Sequence, residues 1–173
     1  TSSDGVAWVF QTLDRAWSLD AVTFDGSRFV ALDGTFVFTS PDGLTWERHQ
    51  TSGGDWASAV ASDGSTLLSL GMSWLSRCGD GATWQRVELP VEGYWRDLNF
   101  AAGRFVLVGV GGAILTSPDG LAWEVSPSGT TADLLGVDRV GDAVVVTGAD
   151  GTVLESADGV TWRLEPTGFH GDL

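Results

Sequence analysis

The chain has 173 residues, enough for one domain with a sizeable core, and its 43% hydrophobic content is ordinary for a globular protein. A net charge of −14, with nine Arg and no Lys, argues against nucleic acid and against anionic membrane surfaces, because like charges repel. A single Cys excludes an internal disulfide, and two His are too few for a metal cluster, so we expect no metal and no cofactor. The sequence shows no membrane-spanning run, which argues against membrane insertion, and no signal peptide.

In chain order, the first clear pattern is a set of four short strands joined by tight turns. Strands are predicted over residues 19–24, 28–32, 36–40 and 44–49, separated by Asp-Gly pairs that are typical of hairpins. The segments 58–87, 98–125 and 134–165 repeat this pattern, the first of them most loosely. Because a Gly or Pro interrupts nearly every stretch, no helix is predicted.

The repeats share a seven-residue motif that ends in Trp. In every copy an Asp lies four residues before the Trp and a Gly follows that Asp. We call these five motifs the anchor turns; their Asp and Trp residues are Asp4 and Trp8, Asp42 and Trp46, Asp80 and Trp84, Asp119 and Trp123, and Asp158 and Trp162. The Trp-to-Trp spacings are 38, 38, 39 and 39 residues, a period that favours propeller blades of four strands each.

Each anchor turn is predicted to be a structural element. The Asp accepts backbone N–H groups, the Gly takes a positive φ, and the Trp of the outgoing strand folds over the hairpin. Burial of one indole contributes a few kcal/mol, at about 25 cal/mol per Å². A calcium site is disfavoured because each turn offers one carboxylate, whereas Ca²⁺ takes about six to eight oxygens. Cys78 stands where the other copies have Ser and is expected to be a buried small residue.

At these residues the sequence resembles the Asp-box, or BNR, repeat family. The longer stretch over residues 104–123 is similar to repeats of bacterial proteins like the photosystem II stability and assembly factor. The resemblance implies an all-β propeller, mostly non-catalytic, that serves as a scaffold and is often secreted. We therefore expect an extracellular or periplasmic protein. Sialidases, other glycosidases and sorting receptors share this type of repeat, so the resemblance is far more specific for fold than for function.

The predicted domain is one propeller over residues 1–167, followed by a tail over 168–173. Blades are expected at about 9–48, 49–87, 88–126 and 127–167, with residues 6–11 as an extra outer strand. Three arrangements remain open: a piece of a longer propeller, a partial ring completed by another copy, and a closed four-bladed ring with a surplus strand. An open edge would favour association with another chain.

A second series of Trp residues precedes the first strand of successive blades. Trp17, Trp56 and Trp95 are 39 residues apart, and Leu134 is the fourth member. One interpretation is that they are wedges between blades. The other is that they are lectin-like shelves for sugar rings, with neighbouring polar residues that bond the hydroxyl groups, namely Arg15, Arg96, Asp55 and Asp97.

Catalytic chemistry is difficult to assemble from this sequence. Sialidases of the repeat family that this sequence resembles use three Arg and a Tyr–Glu pair. The only Tyr in this sequence is Tyr94, and Glu92 lies two residues before it. We therefore predict no catalytic residue and a non-enzymatic module that binds a protein partner or associates with itself. The first alternative is a carbohydrate-binding propeller, and the second is a fragment related to glycosidases.

Overall fold

The computed structural model of the protein describes residues 1–2, 4–10, 13, 19–33, 36–50, 57–71, 74–79 and 83–167. These residues form four antiparallel sheets of four strands, each a meander in which consecutive strands are hydrogen-bonded. The predicted all-β propeller with about four blades is confirmed. In the described ranges no helix is long and apolar enough to cross a bilayer.

The first two blades come from the N-terminal half of the chain. Blade 1 contains β1 (Ala21–Phe24), β2 (Phe29–Leu32), β3 (Phe36–Ser40) and β4 (Glu47–Gln50). Blade 2 contains β5 (Ala57–Ser62), β6 (Leu67–Gly71), β7 (Leu75–Cys78) and β8 (Trp84–Val87). The strand expected from residue 44 starts only at Glu47, because the anchor turn occupies the residues before it. The strand extends to Gln50, whereas the first blade was expected to end at about residue 48.

The last two blades have longer inner strands. Blade 3 contains β9 (Trp95–Ala101), β10 (Arg104–Gly109), β11 (Ile114–Ser117) and β12 (Glu124–Val125). Blade 4 contains β13 (Leu134–Val140), β14 (Ala143–Gly148), β15 (Val153–Ser156) and β16 (Arg163–Glu165). A short 3₁₀ turn follows β10 and another follows β14.

The hydrophobic core lies between blades rather than within one. Three clusters of buried side chains join blade 1 to blade 2, blade 2 to blade 3, and blade 3 to blade 4. The inner strands pack in chain order, β1 on β5, β5 on β9 and β9 on β13. No such cluster in the described part of the chain joins blade 4 back to blade 1. Within the described residues the four blades therefore form an open arc and do not close into a four-bladed ring.

The residues before blade 1 differ from the extra outer strand expected over residues 6–11. Residues 6–10 belong to none of the four sheets. Instead, Thr1 and Val9 exchange two backbone hydrogen bonds of 2.7 Å, which is the pairing that flanks an anchor turn. The segment is a hairpin tip at the open end of the arc, because the described chain supplies no inner strands beside it.

Candidate functional site

The anchor turns are held by a local hydrogen-bond network. In the turn of blade 4, the Oδ1 atom of Asp158 accepts the backbone N–H groups of Val160 at 2.8 Å and Thr161 at 2.7 Å. The Ser156 hydroxyl donates to the same carboxylate at 2.9 Å and accepts the N–H of Gly159 at 2.8 Å. The equivalent bonds are present around Asp4, Asp42 and Asp119, whereas Asp80 lies outside the described residues.

These contacts keep the turn carboxylates ionised. The N–H groups of Thr161 and Val160, followed by the Ser156 hydroxyl, hold the pKa of Asp158 far below its ordinary value. The backbone N–H groups of the neighbouring residues also lower the pKa of Asp119. A carboxylate used in this way stabilises its own hairpin.

The anchor turn of one blade also packs on the preceding blade. Gly120 has φ +74°, and a Cβ atom there would lie 3.0 Å from Leu68 of blade 2. Across the same junction, Arg77 of blade 2 donates from Nε to the carbonyl oxygen of Asp119 at 3.2 Å. The positive φ favours Gly, the Leu68 side chain leaves little room for a Cβ atom, and the turn joins neighbouring blades.

Two side chains of β9 form hydrogen bonds with the inner strand of blade 4. The Oδ2 atom of Asp97 accepts the N–H of Val137 at 2.9 Å, and Nδ2 of Asn99 donates to the Val137 carbonyl at 3.3 Å. Asn99 also donates to Asp138 at 2.9 Å. Burial raises the pKa of Asp97, and the nearby Asp138 carboxylate acts in the same direction. Asp97 therefore joins the two blades.

The residues of the proposed sugar shelves are only partly within the described chain. Arg15, Trp17, Asp55 and Trp56 lie outside it, and for them the lectin-like interpretation stays a prediction. Trp95 is 6% exposed and packs in the core between blades 2 and 3, and Leu134 at the equivalent position is fully buried. Arg96 is exposed. The burial of Trp95 and Leu134 favours the wedge interpretation at these two positions, since stacking requires an open aromatic face.

The first blade leaves part of an apolar face exposed, and we call this exposed part the free flank. It includes Val22, 68% exposed, Phe24, 52% exposed, and Phe29, 37% exposed. The residues at the matching positions of blade 3, Leu98 and Phe105, are 3% and 0% exposed because blade 2 covers them.

The hairpin tip enlarges this apolar surface. Trp8 is 73% exposed and Phe10 is 88% exposed, and both line a groove of about 400 Å³ with Leu19 and Trp46. Phe24 and Phe29 contact each other beside it, with ring centroids 5.0 Å apart. This exposed apolar surface is therefore a candidate interaction surface.

Two clefts were not predicted from the sequence. Each lies between the turn that joins the second and third strands of a blade and the segment that connects that blade to the next. One cleft, of about 630 Å³, lies at the end of blade 2 and includes Trp74, Glu88, Glu92 and Tyr94. The other, of about 600 Å³, lies at the equivalent place in blade 3 and is lined mostly by small and hydroxyl-bearing residues, together with Ile114 and Val125. Trp74 belongs to neither Trp series, so the repeat pattern gave no signal for it.

No protein-family model matches the chain, and no curated protein matches it. Among solved structures, YCF48 bound to D1 peptide is similar at 19% identity, with a TM-score of 0.71 over 95% of this chain and 59% of that chain. Virginiamycin B lyase from Staphylococcus aureus is similar at 10% identity, with a TM-score of 0.75 over 88% of this chain and 56% of that chain. Myxococcus xanthus glutaminyl cyclase is similar at 21% identity, with a TM-score of 0.54 over 83% of this chain and 66% of that chain.

These likenesses establish the fold, an all-β propeller. The chain spans about three fifths of the length of the YCF48 and lyase structures, so it corresponds to part of their rings. The matched proteins include a peptide-bound protein, a lyase and a cyclase. The fold alone therefore does not decide between binding and catalysis.

Proposed function

We propose that the protein is a non-catalytic propeller scaffold that binds a protein partner through the free flank of blade 1. The observation that carries the proposal is the exposure of Val22 and Phe29, whose counterparts in blade 3, Leu98 and Phe105, are buried against blade 2. Burial of such a surface against a partner is favourable at about 25 cal/mol per Å². The turn carboxylates, in contrast, are engaged by their own hairpins.

One of the structural neighbours supports the same class of function. YCF48 has been seen bound to a D1 peptide, so a propeller with a similar arc can hold a polypeptide. A second copy of the chain is one partner that fits the proposal, because an exposed sheet face invites association. We propose further that the anchor turns are Asp-boxes and that the protein works outside the cytoplasm, in line with the sequence resemblance.

Site-specific photo-crosslinking in the full chain tests the proposal. Benzoylphenylalanine replaces Val22 or Phe24 on the free flank, and Leu121 serves as the matched control because it is 55% exposed on the anchor turn of blade 3. We expect discrete protein adducts from the two flank positions in cells that produce the protein, and none from position 121. Adduct mass then separates a second copy from a different protein. Equal adduct yields at all three positions, or no adducts, would contradict the proposal.

A glycan partner is the alternative function, and it is tested separately. Titration with a broad glycan panel, read by intrinsic Trp fluorescence, should give no response if the partner is a protein. A saturable shift that disappears in a Trp17→Leu, Trp56→Leu variant would favour the lectin-like interpretation. Turnover of fluorogenic glycosides would instead indicate an enzyme.

A further inference from the structure

The cleft at the end of blade 2 has a lining unlike any other surface described above. It lies between Trp74, immediately before β7, and residues 88–94, which connect β8 to β9. The connection is anchored because the Tyr94 carbonyl accepts the N–H of Val110 at 3.0 Å. The cleft therefore has a fixed wall, and its volume of about 630 Å³ is enough for a few residues of a bound polypeptide.

The walls of this cleft are aromatic. Trp74 and Trp95 are 5% and 6% exposed and form its buried side, whereas Tyr94 is 73% exposed and Val91 is 42% exposed at its rim. The indole of Trp74 lies against Gly71, and its Nε1 atom is buried with no hydrogen-bond partner in the described part of the chain. Exposed aromatic groups beside a cleft are a common feature of sites that bind proteins.

The charges at the cleft favour a cation. Glu88 and Glu92 line it together with Arg86, and all three side chains are exposed. None of the three is in an ion pair in the described part of the structure. The local excess is one negative charge, within a chain whose net charge is −14. A basic partner would be attracted both at long range and at the cleft itself.

The equivalent cleft of blade 3 serves as an internal comparison. It has nearly the same volume, about 600 Å³, but its lining holds no charged and no aromatic residue and includes Ile114, Val125, Ser126, Thr130 and Thr131. The propeller geometry therefore produces the cleft in both blades. Of the two clefts, only that of blade 2 has an aromatic and acidic lining. The propeller geometry alone does not require this lining.

We propose that the blade 2 cleft binds an extended segment of a protein partner in which a Lys or Arg neighbours an apolar or aromatic residue. The cationic head lies between Glu88 and Glu92 and over the Tyr94 ring, where the carboxylates and the aromatic face both attract it. The apolar neighbour packs against Val91. This inference rests on the proposed protein-binding function and identifies a second contact surface, separate from the free flank.

Fluorescence anisotropy with short labelled peptides tests the inference on the full chain. The probe alternates Lys and Phe, and the matched control peptide has Glu in place of each Lys. We expect saturable binding of the Lys peptide that weakens with added salt, and no binding of the Glu peptide. Equal binding of both peptides, or no binding of the Lys peptide, would overturn the inference.

Variants at the rim assign the binding to this cleft. The double variant Glu88→Gln, Glu92→Gln and the single variant Tyr94→Ala should each weaken the Lys peptide by about tenfold or more. Arg86→Gln should tighten it, because a competing positive charge is removed. Thr131→Ala in the blade 3 cleft is the control and should leave the affinity unchanged. Wild-type affinity in both the double variant and Tyr94→Ala would place the binding elsewhere and overturn the inference.

The two proposals fail in different ways. Loss of all peptide binding with flank crosslinks retained would remove the cleft and leave the scaffold proposal standing. Far-ultraviolet circular dichroism of every variant establishes that it is folded, and all substituted side chains at the cleft rim are exposed in the structure.

Discussion

Equivalent Trp residues in different blades should contribute very different amounts to stability. Trp123 is 7% exposed and packs in the cluster between blades 2 and 3, whereas Trp8 is 73% exposed at the open end of the arc. Both close an anchor turn of the same sequence type. Substitution of each by Ala therefore separates the energy of the blade junction from the energy of the turn itself.

The expected magnitudes follow from the buried areas. A buried indole removes roughly 200 Å² from water, so Trp123→Ala should lower the free energy of unfolding by about 4 kcal/mol, cavity cost included. Trp8 buries about a quarter of its surface, so Trp8→Ala should lower it by about 1 kcal/mol or less. With a urea slope of about 2 kcal/mol per molar, the midpoints should fall by about 2 M and by less than about 0.5 M.

Urea titration followed by far-ultraviolet circular dichroism is the appropriate assay, because a fluorescence signal would itself change with each Trp. A single transition with an unchanged slope licenses the comparison. Equal midpoint shifts for the two variants would refute the argument, since they would show that the turn, and not the junction, supplies the stability.

Three further predictions concern single positions. Asp158→Ala should lower the free energy of unfolding by about 1 kcal/mol in urea titrations, because two backbone N–H groups lose their acceptor; Asp158→Asn should lose less, and equal losses would contradict the geometry. The pKa of Asp97 is raised in the folded state, so its contribution to stability should fall as pH rises from about 4, the pKa of the unfolded chain. The thermal midpoint of Asp97→Asn should therefore depend less on pH than that of the wild type. An unchanged pH dependence would contradict a raised pKa at Asp97. Gly112→Ala should lower the thermal midpoint strongly, because its Cβ would overlap the Thr130 carbonyl, whereas Gly111→Ala, with a similar φ and open space, should cost only about 1 kcal/mol; similar effects would contradict the close packing.

The sequence predicted the anchor turns and the strand order well because both depend on neighbours a few residues apart. Asp42, for example, bonds the N–H groups of Leu44 and Thr45, so five or six residues determine the turn. The same local network explains why β4 begins later than expected. The backbone N–H groups of Leu44 and Thr45 donate to the Asp42 carboxylate, so they do not take part in strand pairing.

Features that depend on contacts between blades were beyond the sequence. Trp95 is the first residue of β9, where a Trp could equally face solvent, and only its packing against another blade shows that it is buried. Trp74 gave no repeat signal, because the blade 2 cleft forms where a turn meets a connection from a different part of the chain. The exposure of Phe24 likewise depends on which neighbouring blade is absent from the described chain, and hydrophobic alternation does not report that.

Light scattering across a dilution series shows whether an open arc binds protein through its free flank. With a second copy as the available partner, the mass should rise above 18.2 kDa with concentration and return to that value in a Phe24→Glu variant, while Leu121→Glu behaves as wild type. A mass of 18.2 kDa at every concentration, together with no flank adducts in cells, would show that the free flank is not a protein-binding surface.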